Sequence, residues 1–251
     1  MYNNWLTIGP ITIHGYGVMI AIGILVAVWL AEKLAKQHGL DGSKIEGIAI
    51  SGVISGFFFS KVTYILTVFP QFLKDPAAVL GTSGWVVYGG ILGGILGAGL
   101  YCRAKHLAFM KYFNVVMPTV ALAQAFGRIG CFFAGCCYGV ETHSHFALTF
   151  PNGSLAPAGV QLVPTQLLSS FGDFVLFVIL YQALKNPKTE NRVAALYLIL
   201  YSIGRFLIEF VRGDIIRGKI GILSTSQFIA IWVLLAGIIM YIYLGKKEKK
   251  A

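Results

Sequence analysis

Long apolar runs separated by short polar ones set the rhythm of this chain. Seven stretches, near 13 to 34, 46 to 68, 85 to 102, 113 to 134, 165 to 184, 193 to 211 and 226 to 244, are apolar with few charges. Each is about the length a helix needs to cross a hydrocarbon core. A helix satisfies its own backbone hydrogen bonds in lipid, so the pattern predicts an all-α, polytopic membrane protein with seven transmembrane helices. Glu32 and Lys33 close the first run, with no small-residue cleavage site, so it reads as a retained helix with the mature chain starting near Met1. Two connections, 69–84 and 138–164, are too long for simple turns. The second contains Pro151, Pro157 and Pro164 and is expected to form a small cap on the outer face. Nothing marks a second domain, so residues 1–251 read as one integral membrane domain.

Composition agrees: the chain is 57% hydrophobic and 12% charged, with a mean hydropathy of +0.75. The net charge of +10 is unevenly placed. Thirteen of the 20 Lys and Arg fall within 33–44, 103–111, 185–192 and 246–250, connections that share one side of a seven-helix topology. Positive residues in short loops stay cytoplasmic, which puts the N-terminus outside and the C-terminus inside. The excess charge is then an orientation signal with some attraction to anionic membrane lipids. No basic face with interleaved aromatics suggests nucleic acid.

Charges inside the spans carry the first functional signal. Arg128 lies in the fourth, in PTVALAQAFGRIGCFFAGCCYG, and Arg205 in the sixth, in LYLILYSIGRFLIEFVRGD. A guanidinium at a membrane-helix centre costs about 2.5 to 3.5 kcal/mol on insertion scales. Either a protein carboxylate or an anionic lipid phosphate would offset it, and the planar fork of arginine suits both. Glu209 follows Arg205 by four residues and shares its helix face. Arg128 has no acid on its own helix. With Lys61 in the second span, three buried cations face one buried carboxylate, a balance that favours an anionic lipid. Tyr201 precedes Arg205 by one turn, Tyr88 heads the glycine string GGILGGILG, and Tyr16 sits near the outer start of the first span. These phenols are either interfacial aromatics or hydrogen-bond and proton donors to a site. The glycines, Gly89 and Gly90 among them, recur every four residues; they let another helix approach closely or line a lipid slot.

Cys131, Cys136 and Cys137 cluster at the outer end of the fourth span, and Cys102 stands alone at the inner end of the third. Three readings stand: small buried hydrophobes, a redox pair or reactive thiol on the disulfide-permissive face, or metal ligation with His143 or His145. His14 is near enough to Tyr16 to line the mouth of a site.

At the motif level the chain resembles the bacterial prolipoprotein diacylglyceryl transferase family over nearly its whole length. The resemblance rests on HGYGVMIAIG at 14–23, YILTVFPQFLKDP at 64–76, YGGILGGILG at 88–97, GRIGCFFAGCCYG at 127–139, PTQLL at 164–168 and IGRFLIEFVRGD at 203–214. It implies an enzyme of the bacterial cytoplasmic membrane that moves the diacylglyceryl group of phosphatidylglycerol onto the lipobox cysteine of an exported prolipoprotein. A thioether forms and glycerol phosphate leaves. Arg128 and Arg205 would bind the phosphate and stabilise the leaving group, Tyr16 and Tyr201 match functional tyrosines, and Gly127 and Gly139 bracket the family signature. The resemblance implies no cofactor, and no metal centre is assigned. Several positions depart from the family pattern. Tyr88 stands where a histidine is usual, so the customary base is replaced by a phenol with a reference pKa near 10. Cys131, Ala134 and Cys136 replace asparagines and a glutamate, and Lys61 replaces an arginine. Competing readings are a membrane thiol oxidoreductase built on the cysteines, a paralogue with another acceptor, and a lipid-binding protein without catalysis. Four cysteines without a CxxC motif are weak redox evidence.

Overall fold

The computed structural model describes residues 3–9, 11–82, 84–214 and 218–248. Met1, Arg217, Lys249 and Lys250 lie outside the described residues. In chain order the elements are β1 (Asn4–Ile8), β2 (Ile11–His14), α1 (Gly15–Gln37), α2 (Lys44–Thr67), α3 (Phe69–Lys74), α4 (Pro76–Gly81), α5 (Val87–Ala104) and α6 (Phe109–Ala134). Then follow β3 (Leu148–Thr149), β4 (Gln161–Leu162), α7 (Thr165–Lys185), α8 (Val193–Ile208), β5 (Lys219–Ile220), β6 (Leu223–Ser224) and α9 (Thr225–Glu248). Short 3₁₀ turns, Glu190–Arg192 and Glu209–Val211, flank α8.

Among the described residues six helices are long and apolar enough to cross a membrane: α1, α2, α6, α7, α8 with its flanking turns, and α9. The chain is therefore a mostly helical, multi-pass membrane protein. A helix does form at the expected third span, α5, but six of its 18 residues are glycine and it does not join those six. Among the described residues three two-stranded antiparallel sheets qualify the all-α expectation. Their strands have two to five residues, too few for alternation of apolar and polar positions to stand out beside long apolar runs.

The chain divides into two compact units, residues 31–112 and residues 1–30 with 113–251. In the first, α2 and α5 pack along facing small residues. A methyl group added at Gly56 would lie 3.1 Å from the Gly90 carbonyl oxygen, and one at Gly94 would lie 3.2 Å from that of Gly52. Gly89 and Gly93 face Thr63 and Phe59. The glycine string is thus a helix-packing seam, and Gly89 and Gly90 are turned to α2 rather than to an empty slot. Close backbone approach matters because lipid gives no hydrophobic drive to helix pairing. The Lys61 ammonium donates to the Thr82 carbonyl at 2.8 Å and lies 5.2 Å from the Tyr64 and Trp85 ring centres, so its charge is met by its own unit. Residues 69–81 carry α3 and α4, the latter started by Pro76 and by the Asp75 carboxylate, which accepts from the Ala78 N–H at 2.9 Å.

In the second unit α6 is the hub. Asn114 donates to the Asn191 carbonyl at 3.0 Å and accepts from the Ala194 N–H at 2.8 Å, fastening the start of α8. The Ser170 hydroxyl of α7 donates to the Ala125 carbonyl at 2.9 Å. Residues 138–164 fold around Phe150, Ala156 and Leu162, with Phe132, Tyr138 and Val160 against them. Backbone bonds from Gly139 N–H to Val163, Val140 N–H to Val211 and Gly213 N–H to Tyr138, each 3.0 Å, tie this segment to the start of α7 and the end of α8. Gly139 leaves no room for a side chain: a methyl there would lie 2.6 Å from the Val163 carbonyl and 2.8 Å from that of Val211.

Gly94→Leu is expected to lower stability by about 1–3 kcal/mol through overpacking at the α2–α5 seam. Gly17→Ala, at a helical position with nothing within 4 Å, should be neutral or slightly stabilising. Thermal unfolding of both variants in one detergent checks the contrast.

Candidate functional site

A cavity of about 310 Å³ opens among α6, α7 and α8, lined by Arg128, Leu168, Ser169, Gly172, Asp173, Leu176, Tyr201, Gly204, Arg205 and Ile208, among others. Three residues marked in the sequence, Arg128, Arg205 and Tyr201, meet there from two helices. Helical spacing explains the α8 set, since 201, 204, 205 and 208 share one face.

Each arginine has a carboxylate. Arg205 Nη1 lies 2.6 Å from Glu209 Oε2 in a close ion pair, with side chains 12% and 9% exposed. Arg205 Nη2 donates to the Ser226 hydroxyl of α9 at 2.8 Å. Arg128 Nε lies 3.9 Å from Asp173 Oδ2. This corrects the expectation that Arg128 lacks a protein acid and that one buried carboxylate faces three cations. Asp173 comes from α7, and a search of Arg128's own helix misses it. Its signal is present in the sequence: it is an ionisable residue inside the apolar run 165–184, which is a functional candidate by default. The two pairs differ. The Arg205–Glu209 contact is close and clamped by a third helix, whereas 3.9 Å through Nε is longer than a hydrogen bond and leaves the Arg128 fork available to an oxyanion.

Tyr201 stacks on Tyr197 at 5.5 Å with the rings 10° from parallel. Tyr197 in turn donates to Gln124 Oε1 of α6 at 2.9 Å, which fixes the ring pair relative to Arg128's helix. Tyr16, 41% exposed, begins α1 and packs on α6: a methyl at Gly130 would lie 3.0 Å from the Tyr16 carbonyl. Gly127 has nothing within 4 Å of its missing Cβ, so the α6 surface beside Arg128 is clear. His14 ends β2 and is exposed. Tyr88 opens α5 in the 31–112 unit, 42% exposed; Lys61, Gly89 and Gly90 belong to that unit and are placed as described above.

At the end of α6 the Sγ atoms of Cys131, Cys136 and Cys137 lie within 4.8 Å of one another, while Cys102 is buried elsewhere. His143 and His145 are exposed and outside that group. The Cys137 thiol is held below its ordinary range by hydrogen bonds from Cys131 and Cys136 and, against burial, by the charges of Arg212 and Arg128. Arg212 is gripped by Asp214 through two bonds of 2.9 and 2.8 Å.

Comparison with known proteins places these features in a family context. The sequence model of the prolipoprotein diacylglyceryl transferase family matches residues 3–243. The chain is 44% identical over 231 residues to the phosphatidylglycerol–prolipoprotein diacylglyceryl transferase 2 of Clostridium perfringens, covering 91% of this chain and 90% of that protein. It is equally similar to the Clostridium tetani phosphatidylglycerol–prolipoprotein diacylglyceryl transferase, covering 91% and 92%. It is 32% identical over 244 residues to that of Finegoldia magna, covering 96% and 95%.

Removing one member of a buried pair strands the other charge. Glu209→Ala is expected to cost about 3–5 kcal/mol and Asp173→Ala less, because the second contact is longer. Arg205→Met combined with Glu209→Leu should recover most of the Glu209→Ala loss. Unfolding midpoints of the three variants in detergent check this ranking.

Proposed function

The chain belongs to the prolipoprotein diacylglyceryl transferase family, and we propose that it transfers the diacylglyceryl group of phosphatidylglycerol to the lipobox cysteine thiol of exported prolipoproteins. The observation that carries this reading is the convergence of Arg128, Arg205 and Tyr201 on one cavity among apolar helices. The enzyme sits in the bacterial cytoplasmic membrane with its N-terminus outside and its C-terminus inside, α5 serving as the seventh crossing beside α2. Residues 138–164 form the outer cap, and the whole chain acts as one integral membrane domain.

In the reaction the thiol gives up its proton to solvent or to the departing phosphate, its sulfur bonds to the glyceryl carbon as the carbon–oxygen bond to phosphate breaks, and glycerol phosphate departs with the bonding electrons. Arg128 takes the phosphate through the donors its loose contact with Asp173 leaves available. Arg205, held in place by Glu209 and Ser226, meets the charge that grows on the leaving oxygen; such preorganised donors are typically worth 100- to 1,000-fold in rate. Tyr201 donates a hydrogen bond to the same phosphate. The apolar wall formed by Val175, Leu176, Ile179 and Ile203 suits the acyl chains, while a cavity of this size suits the headgroup. In this reading Tyr16 and His14 serve the approach of substrate, and the clear surface at Gly127 lets the lipid approach the guanidinium of Arg128.

Incubating the purified protein with phosphatidylglycerol and a lipobox peptide, read by mass spectrometry, tests the reading. A diacylglyceryl mass gain is expected on the cysteine peptide and not on its Cys→Ser counterpart, with Arg128→Ala slowed about 100-fold or more. Unmodified peptide beside phosphatidylglycerol-loaded protein would overturn it.

A further inference from the structure

Three cysteines that the transfer chemistry above does not use come together in a single turn. Gly135 and Cys137 both adopt left-handed backbone, with φ of 71° and 61°, and fold the chain back so that Cys136 and Cys137 return to Cys131. The Cys136 N–H donates to the Cys131 carbonyl at 3.1 Å. All three Sγ atoms lie within 4.8 Å of one another. Metal–sulfur bonds of about 2.3 Å in a tetrahedral site set sulfurs about 3.8 Å apart, so small side-chain rotations complete the set.

The turn is braced from behind. Thr165 Oγ1 donates to the Cys137 carbonyl at 2.7 Å and Gln166 Nε2 to the Cys136 carbonyl at 2.8 Å, and both side chains are 1% exposed. A left-handed φ is unfavourable for a residue with a Cβ, and strain of this kind collects at sites that use the side chain. A glycine occupies the other left-handed position, whereas a thiol is kept at 137. A disulfide would use two of the sulfurs and leave the third unexplained, and packing as small hydrophobes does not require convergence on a strained turn. With the exposed His143 and His145 outside the group, the donors are all sulfur, which selects thiophilic ions over magnesium, calcium or manganese.

We propose that Cys131, Cys136 and Cys137 form a three-thiolate site for a thiophilic d¹⁰ ion of the zinc class, whose fourth position takes the thiol of the acceptor cysteine. The fourth-ligand role rests on the transferase reading; the metal site does not. Binding a divalent ion releases three thiol protons to solvent and leaves a complex of charge −1. The acceptor thiol replaces water as the fourth ligand and gives its proton to solvent, since a coordinating thiol is deprotonated outright. Its sulfur then bonds to the glyceryl carbon as the carbon–oxygen bond breaks. No oxidant or reductant is needed. Three protein ligands with an exchangeable fourth is the pattern of catalytic zinc, and it provides a route for the thiol proton in a chain with Tyr88 at the histidine position.

The test uses the full-length protein purified in detergent after zinc supplementation, with elemental analysis, and the same protein reloaded with Co²⁺ for absorption spectroscopy. About one zinc per chain is expected, retained in Arg128→Ala and lost in Cys131→Ser and in Cys137→Ser. The cobalt–thiolate absorption should change on adding a lipobox peptide and not its Cys→Ser form, and transfer by Cys137→Ser should fall about 100-fold while phosphatidylglycerol still binds. Should the serine variants fail to fold, the peptide response of the wild-type cobalt spectrum still decides. Zinc-free wild type with three alkylatable thiols, or a disulfide among them, overturns the site. A loaded protein whose spectrum ignores the cysteine peptide overturns the fourth-ligand role. A loaded, peptide-responsive protein that makes no product overturns the transferase reading alone.

Discussion

Two guanidinium groups inside an apolar helical bundle must be met by negative or polar atoms from neighbouring elements, and that demand organises the unit built on α6. Each unmet charge costs about 2.5–3.5 kcal/mol on insertion scales, against a net stability for a typical domain of only about 5–15 kcal/mol. Glu209 answers Arg205 from the turn that ends α8, and Ser226 answers it from α9. Asp173 answers Arg128 from α7. The interhelical bonds of Asn114, Gln124 and Ser170 lie along the same α6, so the helix that carries Arg128 is also the one to which α7 and α8 are fastened. Positioning the arginines and assembling the bundle are therefore one problem with one solution.

The pairing also shapes what the cavity can bind. Two cations with two carboxylates make a polar site without a large net charge, unlike the strongly positive site that counting cations on single helices suggests. An incoming phosphate must then gain from direct geometry rather than from a broad field. The longer Arg128–Asp173 contact leaves the Arg128 fork the freer of the two to meet an oxyanion. The Arg205–Glu209 pair, gripped on two sides, acts as a fixed dipole. Division of labour between a loose and a tight pair follows from where the acids sit: one on a facing helix, one four residues along the chain.

Much of this fold is legible in the sequence because apolar run length and helix length are the same physical quantity in lipid. All seven predicted runs become helices with ends within a few residues, and the Arg205–Glu209 pair follows from helical spacing alone. The shortfall has specific causes. The α5 segment is a helix, but its glycines, there to let α2 come close, dilute the apolarity that marks a crossing. Asp173 was readable as an acid in an apolar run, yet its partner lies some 45 residues earlier, and no local pattern links them. The short strands depend on long-range backbone pairing such as Leu148 with Leu162. Convergence of the three thiols depends on left-handed backbone at Cys137, a position where glycine, not cysteine, is the usual sign.

The stretch 127–139 illustrates why its residues belong together. Arg128 faces the cavity, and two residues on Gly130 lets the Tyr16 backbone lie against α6. Gly135 reverses the chain, the cysteines line the reversal, and Gly139 passes between the Val163 and Val211 carbonyls. The bonds at Gly139, Val140 and Gly213 join the end of α6 to the start of α7 and the end of α8, the helices that carry Asp173 and Arg205. Thr165 and Gln166, which brace the cysteine turn, begin the same α7 that carries Asp173 two turns further on. The thiol cluster and the arginine cavity thus share α6 and α7 as supports, and the order of residues in the motif is the order in which the chain visits its anchoring points.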